Sequence, residues 1–464
     1  MTKIPSLIIS GLSGGAGKTL VTLGLTGAFR KKRKRVIPFK KGPDFIDPAW
    51  LERAAGHPCR NLDIYLMGEE RVRQVYLSHC FSGHINIIEG NRGLFDGVNE
   101  YGRYSTAQMA KVLGVPVFLI INCTKMTGTA AALVMGCQTL DKKVPIAGVI
   151  LNRVGGARHQ DVITRSIEKR CGIPVVGAIP RLKDMAMFER HLGLMPVHEH
   201  TQATDVISQA VTVAEKYLNL RKILKLAHTY TDYSPVKSCR SFVERTNIQK
   251  KLKAPVFPQL KKRVGVLWDQ AFNFYYPDNI EALEENGAEI IKISPVVNKD
   301  LPELDVLYIG GGFPETMAEA LEANISFRSS LKAAAESGLR IYAECGGAVY
   351  LGEQLEYKGR VYRMAGVFPV DFLYTPKPQG HGYTRIKITK KNLFFKRGAW
   401  LQGHEFHYTG PLKTSKLNFV GKVCRGYGFD GKNECMVYKN VFATYTHIHA
   451  QSRRTWARGL LKGI

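Results

Sequence analysis

The chain has 464 residues, with 66 Lys and Arg against 39 Asp and Glu, a formal net charge of +27. A content of 45% hydrophobic and 23% charged residues excludes a disordered chain, and 45 glycines without a three-residue period exclude collagen. No apolar run reaches the roughly 18 residues of a membrane-spanning helix, and the apolar stretch of MTKIPSLIIS before Gly11 is too short for a secretory leader. The expected location is therefore cytoplasmic. The nine cysteines form no C-x-x-C pair and read as small buried hydrophobes in a reducing compartment, with Cys345 set apart by its surroundings. The positive charge suits either a polyanionic partner or a solvated basic surface.

The length predicts two or three domains. In the first part, SLIIS (6–10), INIIEG (85–90), VPVFLIIN (115–122), IAGVILN (146–152) and IPVVGAI (173–179) are short apolar runs, each suited to a strand buried on both faces of a parallel sheet. Helical stretches at 105–114 and 159–172 fall between them, so the pattern is that of a doubly wound α/β domain. From Arg221 to Arg263 there are 12 Lys and Arg and two acidic residues, with prolines and no periodicity, as in a basic linker. The α/β pattern restarts at RVGVLWDQ (263–270). Strand-then-glycine turns are expected at 305–312 and 339–347 and helices at 281–289 and 317–338. After about residue 360 the chain reads as β-rich.

The first chemical signal is Gly11-Leu-Ser-Gly-Gly-Ala-Gly17-Lys18-Thr19, between a strand and a helix. Backbone N–H groups of such a turn face phosphates, Lys18 reaches the terminal phosphates, and the Thr19 hydroxyl is placed for Mg²⁺. Asp44 and Asp47 in FKKGPDFIDP (39–48), and Glu89 at the end of INIIEG, lie after strand ends that converge on a ligand crevice, and they are hard oxygen ligands for Mg²⁺. The second signal is AECGGAVYLGE (343–353), a cysteine at a sharp strand-to-helix turn. The helix start is expected to lower the Cys345 thiol pKa, and the glycines of LYIGGGFPE (307–315) offer oxyanion donors. The base would come from His404, His407, His447 or His449, the last two on one face of a strand in THIHA.

A DNA- or membrane-associated P-loop ATPase is the alternative from a different class. It lacks support at Ser13, where that class carries a second signature lysine, and it leaves the second half of the chain unused. KKRKR (31–35) reads as a solvated helix end that complements the helix dipole.

Taken in order, GLSGGAGKT, FKKGPDFIDP, GHPCRNLD (56–63), IIEGNRGLFDG (87–97), LNRVGGARH (151–159), ERHLGLMP (189–196), FNFYYPDN (272–279), YIGGGFPE, AECGGAVYLGE, GHEFHY and THIH cover nearly the whole chain. On these motifs the chain resembles the cobyrinic acid a,c-diamide synthases and related tetrapyrrole amidases. The resemblance implies an ATP-binding, carboxylate-activating domain over 1–225, similar to dethiobiotin synthetase, a basic linker over 226–261 and a class I glutamine amidotransferase domain over 262–464. It implies that Gly14, Gly15, Ala16, Gly17, Lys18 and Thr19 bind ATP phosphates and that Asn152 lies near the adenine. Thr19, Asp44 and Glu89 would organise Mg²⁺, Asp47 would lie at the activated carboxylate, and Cys345 and His447 would hydrolyse glutamine. The implied partners are small molecules (a tetrapyrrole polycarboxylate, glutamine and ATP), with neither nucleic acid nor membrane, and an ammonia path that admits a homodimer. Phe45, Ile46 and Asn122 depart from the usual pattern, which leaves sirohaem or nickel-sirohydrochlorin open as substrates. His449 stands where the H-x-E of amidotransferase triads carries its acid, so the third member of the cysteine site is left open.

Overall fold

The structure, a computed structural model, describes residues 4–81, 83–182, 203–229 and 261–463. ERHLGLMP (189–196) and residues 230–260 of the expected linker lie outside the described residues. The chain divides into two compact units, Met1–Ala254 and Pro255–Ile464.

Unit one holds strands β1 (Ser6–Gly11), β2 (Arg35–Lys41), β3 (Arg60–Leu62), β4 (His84–Gly93), β5 (Val117–Asn122), β6 (Ile146–Val154) and β7 (Val175–Pro180). They form one sheet in the order β3-β2-β4-β1-β5-β6-β7, parallel throughout. The unbroken apolar runs follow from burial of both faces. Ile8, Leu119 and Ile121 belong to one core, while Leu7, Ile9, Phe118 and Ile120 belong to the other, so a period of two is hidden inside an all-apolar string. Helix α1 (Lys18–Lys31) follows β1, and Ala203–Tyr217 crosses it closely. A Cβ on Gly27 would run into Val211, so glycine permits the approach. The expected helix at 105–114 spans Thr106–Leu113, between the Ser105 cap and Gly114 in the left-handed region. A helix at Leu220–Thr229 runs past residue 225.

Unit two carries a ten-stranded sheet and a four-stranded one. Its strands are β8 (Lys262–Leu267), β9 (Ala288–Ile293), β10 (Val306–Ile309), β11 (Arg340–Glu344), β12 (Gln354–Tyr357), β13 (Arg360–Arg363), β14 (Asp371–Tyr374), β15 (Gly380–Ile388), β16 (Trp400–His407), β17 (Thr409–Pro411), β18 (Phe419–Arg425), β19 (Asn433–Tyr438), β20 (Val441–Thr444) and β21 (His447–Ile448). The large sheet runs β21-β16-β15-β18-β19-β20-β11-β10-β8-β9. It is parallel from β20 to β9 and antiparallel from β20 to β21. The small sheet runs β13-β12-β14-β17.

Two sequence expectations are corrected here. Residues 281–289 are not all helix: Pro277–Glu285 is helical, Gly287 turns the chain at φ 93°, and Ala288 opens β9. The stretch 317–338 is two helices, Ala318–Ala323 and Ile325–Glu336. Asn324 breaks them because its side chain accepts the Phe327 N–H and caps the second.

Candidate active sites

The phosphate loop occupies the turn between β1 and α1. Gly17 precedes the helix at φ 96°, and a Cβ there would come within 2.5 Å of Asn152 Nδ2. Gly15 is also left-handed, at φ 68°, and around Gly14 and Gly15 a Cβ would meet nothing within 4 Å, so the loop is open where phosphate would approach. Lys18 Nζ donates to the Ser13 carbonyl at 2.9 Å. Burial, with Lys40 nearby, lowers the pKa of Lys18 against the pull of Glu89 and Asp47. Asn152 Nδ2 donates to the Ala16 carbonyl at 2.9 Å. It therefore ties the end of β6 to the loop, a contact that proximity to adenine did not anticipate. Gly17→Ala forces a strained φ as well as this clash. It is expected to weaken nucleotide binding at least about tenfold, roughly 1.4 kcal/mol, as read by titration with a fluorescent nucleotide. Parent affinity in the variant would contradict the placement.

Parallel registry sets Glu89 opposite Ile9 of β1 and Lys40 of β2. Thr19 Oγ1 donates to Glu89 Oε1 at 2.8 Å. Lys40, only 2% exposed, pairs with Asp47, with Glu89 at 2.9 Å and with Asp44 at 3.8 Å. Burial opposes the Lys40 charge, but Asp47, Glu89 and Asp44 outweigh it and hold its pKa well above the ordinary range. Asp44 Oδ1 accepts the N–H groups of Ile46 and Asp47 at the start of the helix Ile46–Ala55. Burial and the Asp47 charge raise the Asp44 pKa to about 7 in spite of Lys40. The sequence reading missed Lys40, whose only signal is a lysine at the buried end of a parallel strand.

These residues fit a divalent cation. Glu89 is fully buried, yet its Oε2 has no hydrogen-bond partner, and the hydroxyl of Thr19 and the carboxylate of Asp44 add hard oxygens. Among the described residues no group of three His, Cys, Asp or Glu side chains forms a metal site. A magnesium ion that takes one or two carboxylates and completes its shell with phosphate and water needs no such group.

In unit two, β11 ends at Glu344 and the helix Gly346–Tyr350 starts at once. Between them Cys345 sits at φ 48°, ψ −108°, a positive-φ conformation outside the left-handed helical well that costs a non-glycine residue about 1–3 kcal/mol. The Cys345 N–H donates to the Thr444 carbonyl at 2.7 Å, locking the elbow to β20. The glycine turn after β10 lies against it: a Cβ on Gly346 would come within 3.0 Å of the Gly312 carbonyl, and one on Gly347 within 2.7 Å of the Ile309 carbonyl. The expectation of a lowered thiol pKa is corrected. Burial pushes the Cys345 thiol well up, and the charges of Glu315, Glu344 and Glu405 add to it; the Gly346 N–H pulls the other way and is outweighed. Burial therefore favours the neutral thiol over the thiolate.

The four candidate histidines are all buried. His447 pairs with His404 across β21 and β16, and their rings stack at 4.9 Å. A Cβ on Gly311 would collide with His447 Cε1 and lie 3.3 Å from Nε2, so this edge of the ring overlies the glycine turn. His447 Nδ1 is 3.6 Å from Glu344 Oε2. His404 is held neutral by burial and by the neighbouring His447 and His449. His449 packs on Tyr276 at 4.4 Å, and His407 stacks on Tyr445 at 3.7 Å with Nδ1 at the Thr409 carbonyl.

A phosphate loop in an α/β unit, followed by a unit with a cysteine elbow and a histidine strand, is the arrangement that a glutamine-dependent carbon–nitrogen ligase requires. Residues 7–194 match the model of the CobQ/CobB/MinD/ParA nucleotide binding domain, and residues 263–455 match the CobB/CobQ-like glutamine amidotransferase domain. The chain is 40% identical over 456 residues to the cobyrinate a,c-diamide synthase of Magnetococcus marinus, covering 98% of this chain and 96% of that protein. It is 36% identical over 462 residues to the same-named protein of Archaeoglobus fulgidus, covering 99% and 97%. The chain belongs to the cobyrinate a,c-diamide synthase family. The solved structure of PurLQS from Thermotoga maritima is similar over 44% of this chain and 98% of that chain, at 18% identity and a TM-score of 0.35. The alternative of a DNA- or membrane-associated ATPase does not account for the match over 263–455.

Proposed function

We propose that this chain converts the a and c acetate carboxylates of cobyrinic acid to amides, using ATP and glutamine, in cobalamin synthesis. The supporting observation is near-full-length likeness to cobyrinate a,c-diamide synthases in a chain that keeps both a phosphate loop and a cysteine elbow. Carboxylate activation is assigned to residues 1–225 and glutamine hydrolysis to residues 262–464. The acceptor and both co-substrates are small molecules.

In unit one the loop N–H groups from Gly14 to Thr19 and the Lys18 ammonium hold the ATP phosphates, with Asn152 near the adenine. Thr19, Asp44 and Glu89 would hold Mg²⁺, which spreads the charge of the transferring phosphoryl group when bound. Asp47, paired with Lys40, orients the acceptor carboxylate. That carboxylate takes the γ-phosphoryl group, releasing ADP, and ammonia displaces phosphate from the acyl phosphate to leave the amide. In unit two, Cys345 attacks the glutamine amide with His447 as base, which yields ammonia and glutamate. The glycines at 310–312 stabilise the oxyanion.

The test is a coupled ADP assay on the purified protein. ADP release is expected only when a macrocyclic acceptor is present with ATP and Mg²⁺, and to be supported by either glutamine or ammonium. ADP release that is equally fast without any tetrapyrrole would overturn the reading.

A further inference from the structure

We infer that Glu344 is the positioning carboxylate of the cysteine site, holding the His447 ring by its Nδ1 edge so that Nε2 faces the thiol. The inference rests on the proposed roles of Cys345 and His447. An imidazole base works best when a third group fixes its tautomer and steadies the imidazolium. The sequence offers no acid two residues beyond His447, since His449 occupies that position. The fold supplies one from the opposite direction, the residue just before the nucleophile.

Glu344 is 1% exposed, and its surroundings fix both oxygens. Oε1 accepts from the Tyr342 hydroxyl at 2.9 Å and from the Ile448 N–H at 3.2 Å. Oε2 accepts from the Tyr308 hydroxyl at 3.2 Å and faces His447 Nδ1 at 3.6 Å. One carboxylate thus anchors the backbone just after His447 and faces its ring. The two tyrosines remain neutral donors, because burial together with the Glu344 charge raises their pKa values far above the ordinary range. The other nearby acids face different histidines: Asp278 lies 3.8 Å from His449 Nε2, and Glu405 lies 3.5 Å from His407 Nε2. His404, stacked on the His447 ring, carries no negative charge that could steady an imidazolium there.

The proton route then closes. As Cys345 Sγ bonds to the amide carbon of glutamine, its proton moves to His447 Nε2. The same proton goes to the departing nitrogen as the C–N bond breaks, releasing ammonia. Water, giving a proton to Nε2, attacks the thioester carbon; the C–S bond breaks and sulfur recovers a proton from Nε2. The Nδ1 proton stays on the ring, and Glu344 remains an anion that exchanges none.

Glu344→Gln and Glu344→Asp in the full chain test this, with glutamine hydrolysis followed across a pH series and ammonium-driven amidation measured alongside. Glu344→Gln is expected to lower kcat about a hundredfold with little change in KM for glutamine. The acid limb of kcat/KM should move to lower pH, because the imidazolium has lost its anion. Glu344→Asp should recover part of the rate and return the limb towards that of the parent, and ammonium-driven amidation should persist in both. A Gln variant with parent rate and limb overturns the assignment. So do equal losses in both variants with an unmoved limb, since that is the signature of packing alone. If the Gln variant also loses ammonium-driven amidation, the Asp variant decides by the same two readouts. Failure of the assignment alone is read against a parent that hydrolyses glutamine, whereas a parent unable to do so overturns the underlying reading as well.

Discussion

Cys345→Ala is expected to abolish amidation driven by glutamine, by more than about 10³-fold, and to leave amidation driven by ammonium close to the parent rate. Only Cys345 supplies a nucleophile at the elbow, and the substitution removes its sulfur without altering the backbone that holds it. Alanine retains the positive φ, the N–H bond to Thr444 and the glycines at 346 and 347, so the packing of β11 against β20 should persist. Unit one keeps its phosphate loop in this variant. Parallel assays with the two nitrogen donors make the check, with a thermal melt to confirm folding. Loss of both activities in a folded variant would count against a separate ammonia-producing site.

Asp47→Asn is expected to have the second largest effect, lowering ATP-dependent amidation by about 10²–10³-fold while glutamine hydrolysis continues. Asp47 sits in the first turn of Ile46–Ala55 and pairs with an almost fully buried Lys40. Removing one partner of a buried pair ordinarily costs about 3–5 kcal/mol. Here Glu89 remains 2.9 Å from the ammonium and Asp44 3.8 Å away, so the folding cost should be smaller than the loss of activity. Steady-state amidation and glutaminase assays, read beside a melting curve, separate the two. Unchanged amidation would remove Asp47 from the mechanism.

Much of this was legible in the sequence for identifiable reasons. β1 and β5 announce themselves as all-apolar strings because a parallel sheet buries both faces, and the phosphate loop does so because Gly15 and Gly17 are needed at φ 68° and 96°. The cysteine elbow was legible because strand, nucleophile and paired glycines are contiguous. What was not legible depends on neighbours distant in the chain. Lys40 looks like an ordinary strand-end lysine until β4 sets Glu89 beside it. Glu344 looks like a strand terminus until β21 brings His447 to its carboxylate. The Cys345 thiol seemed due for a lowered pKa because the helix start is local, whereas burial and the opposing carboxylates of Glu315 and Glu405 come from other segments. The break at Asn324 was missed because a cap inside a long helix-favouring stretch resembles a tolerated polar residue.

The most direct measurement is label transfer from glutamine carrying a heavy amide nitrogen. The full chain, with ATP and Mg²⁺, would be offered cobyrinate, sirohaem, sirohydrochlorin and nickel-sirohydrochlorin in turn, and the products read by mass spectrometry. The account predicts that cobyrinate gains two labelled amides, at its a and c acetates, and that the label disappears in Cys345→Ala. Label entering only sirohaem or a sirohydrochlorin, or none of the macrocycles while glutamine is still hydrolysed, would contradict it.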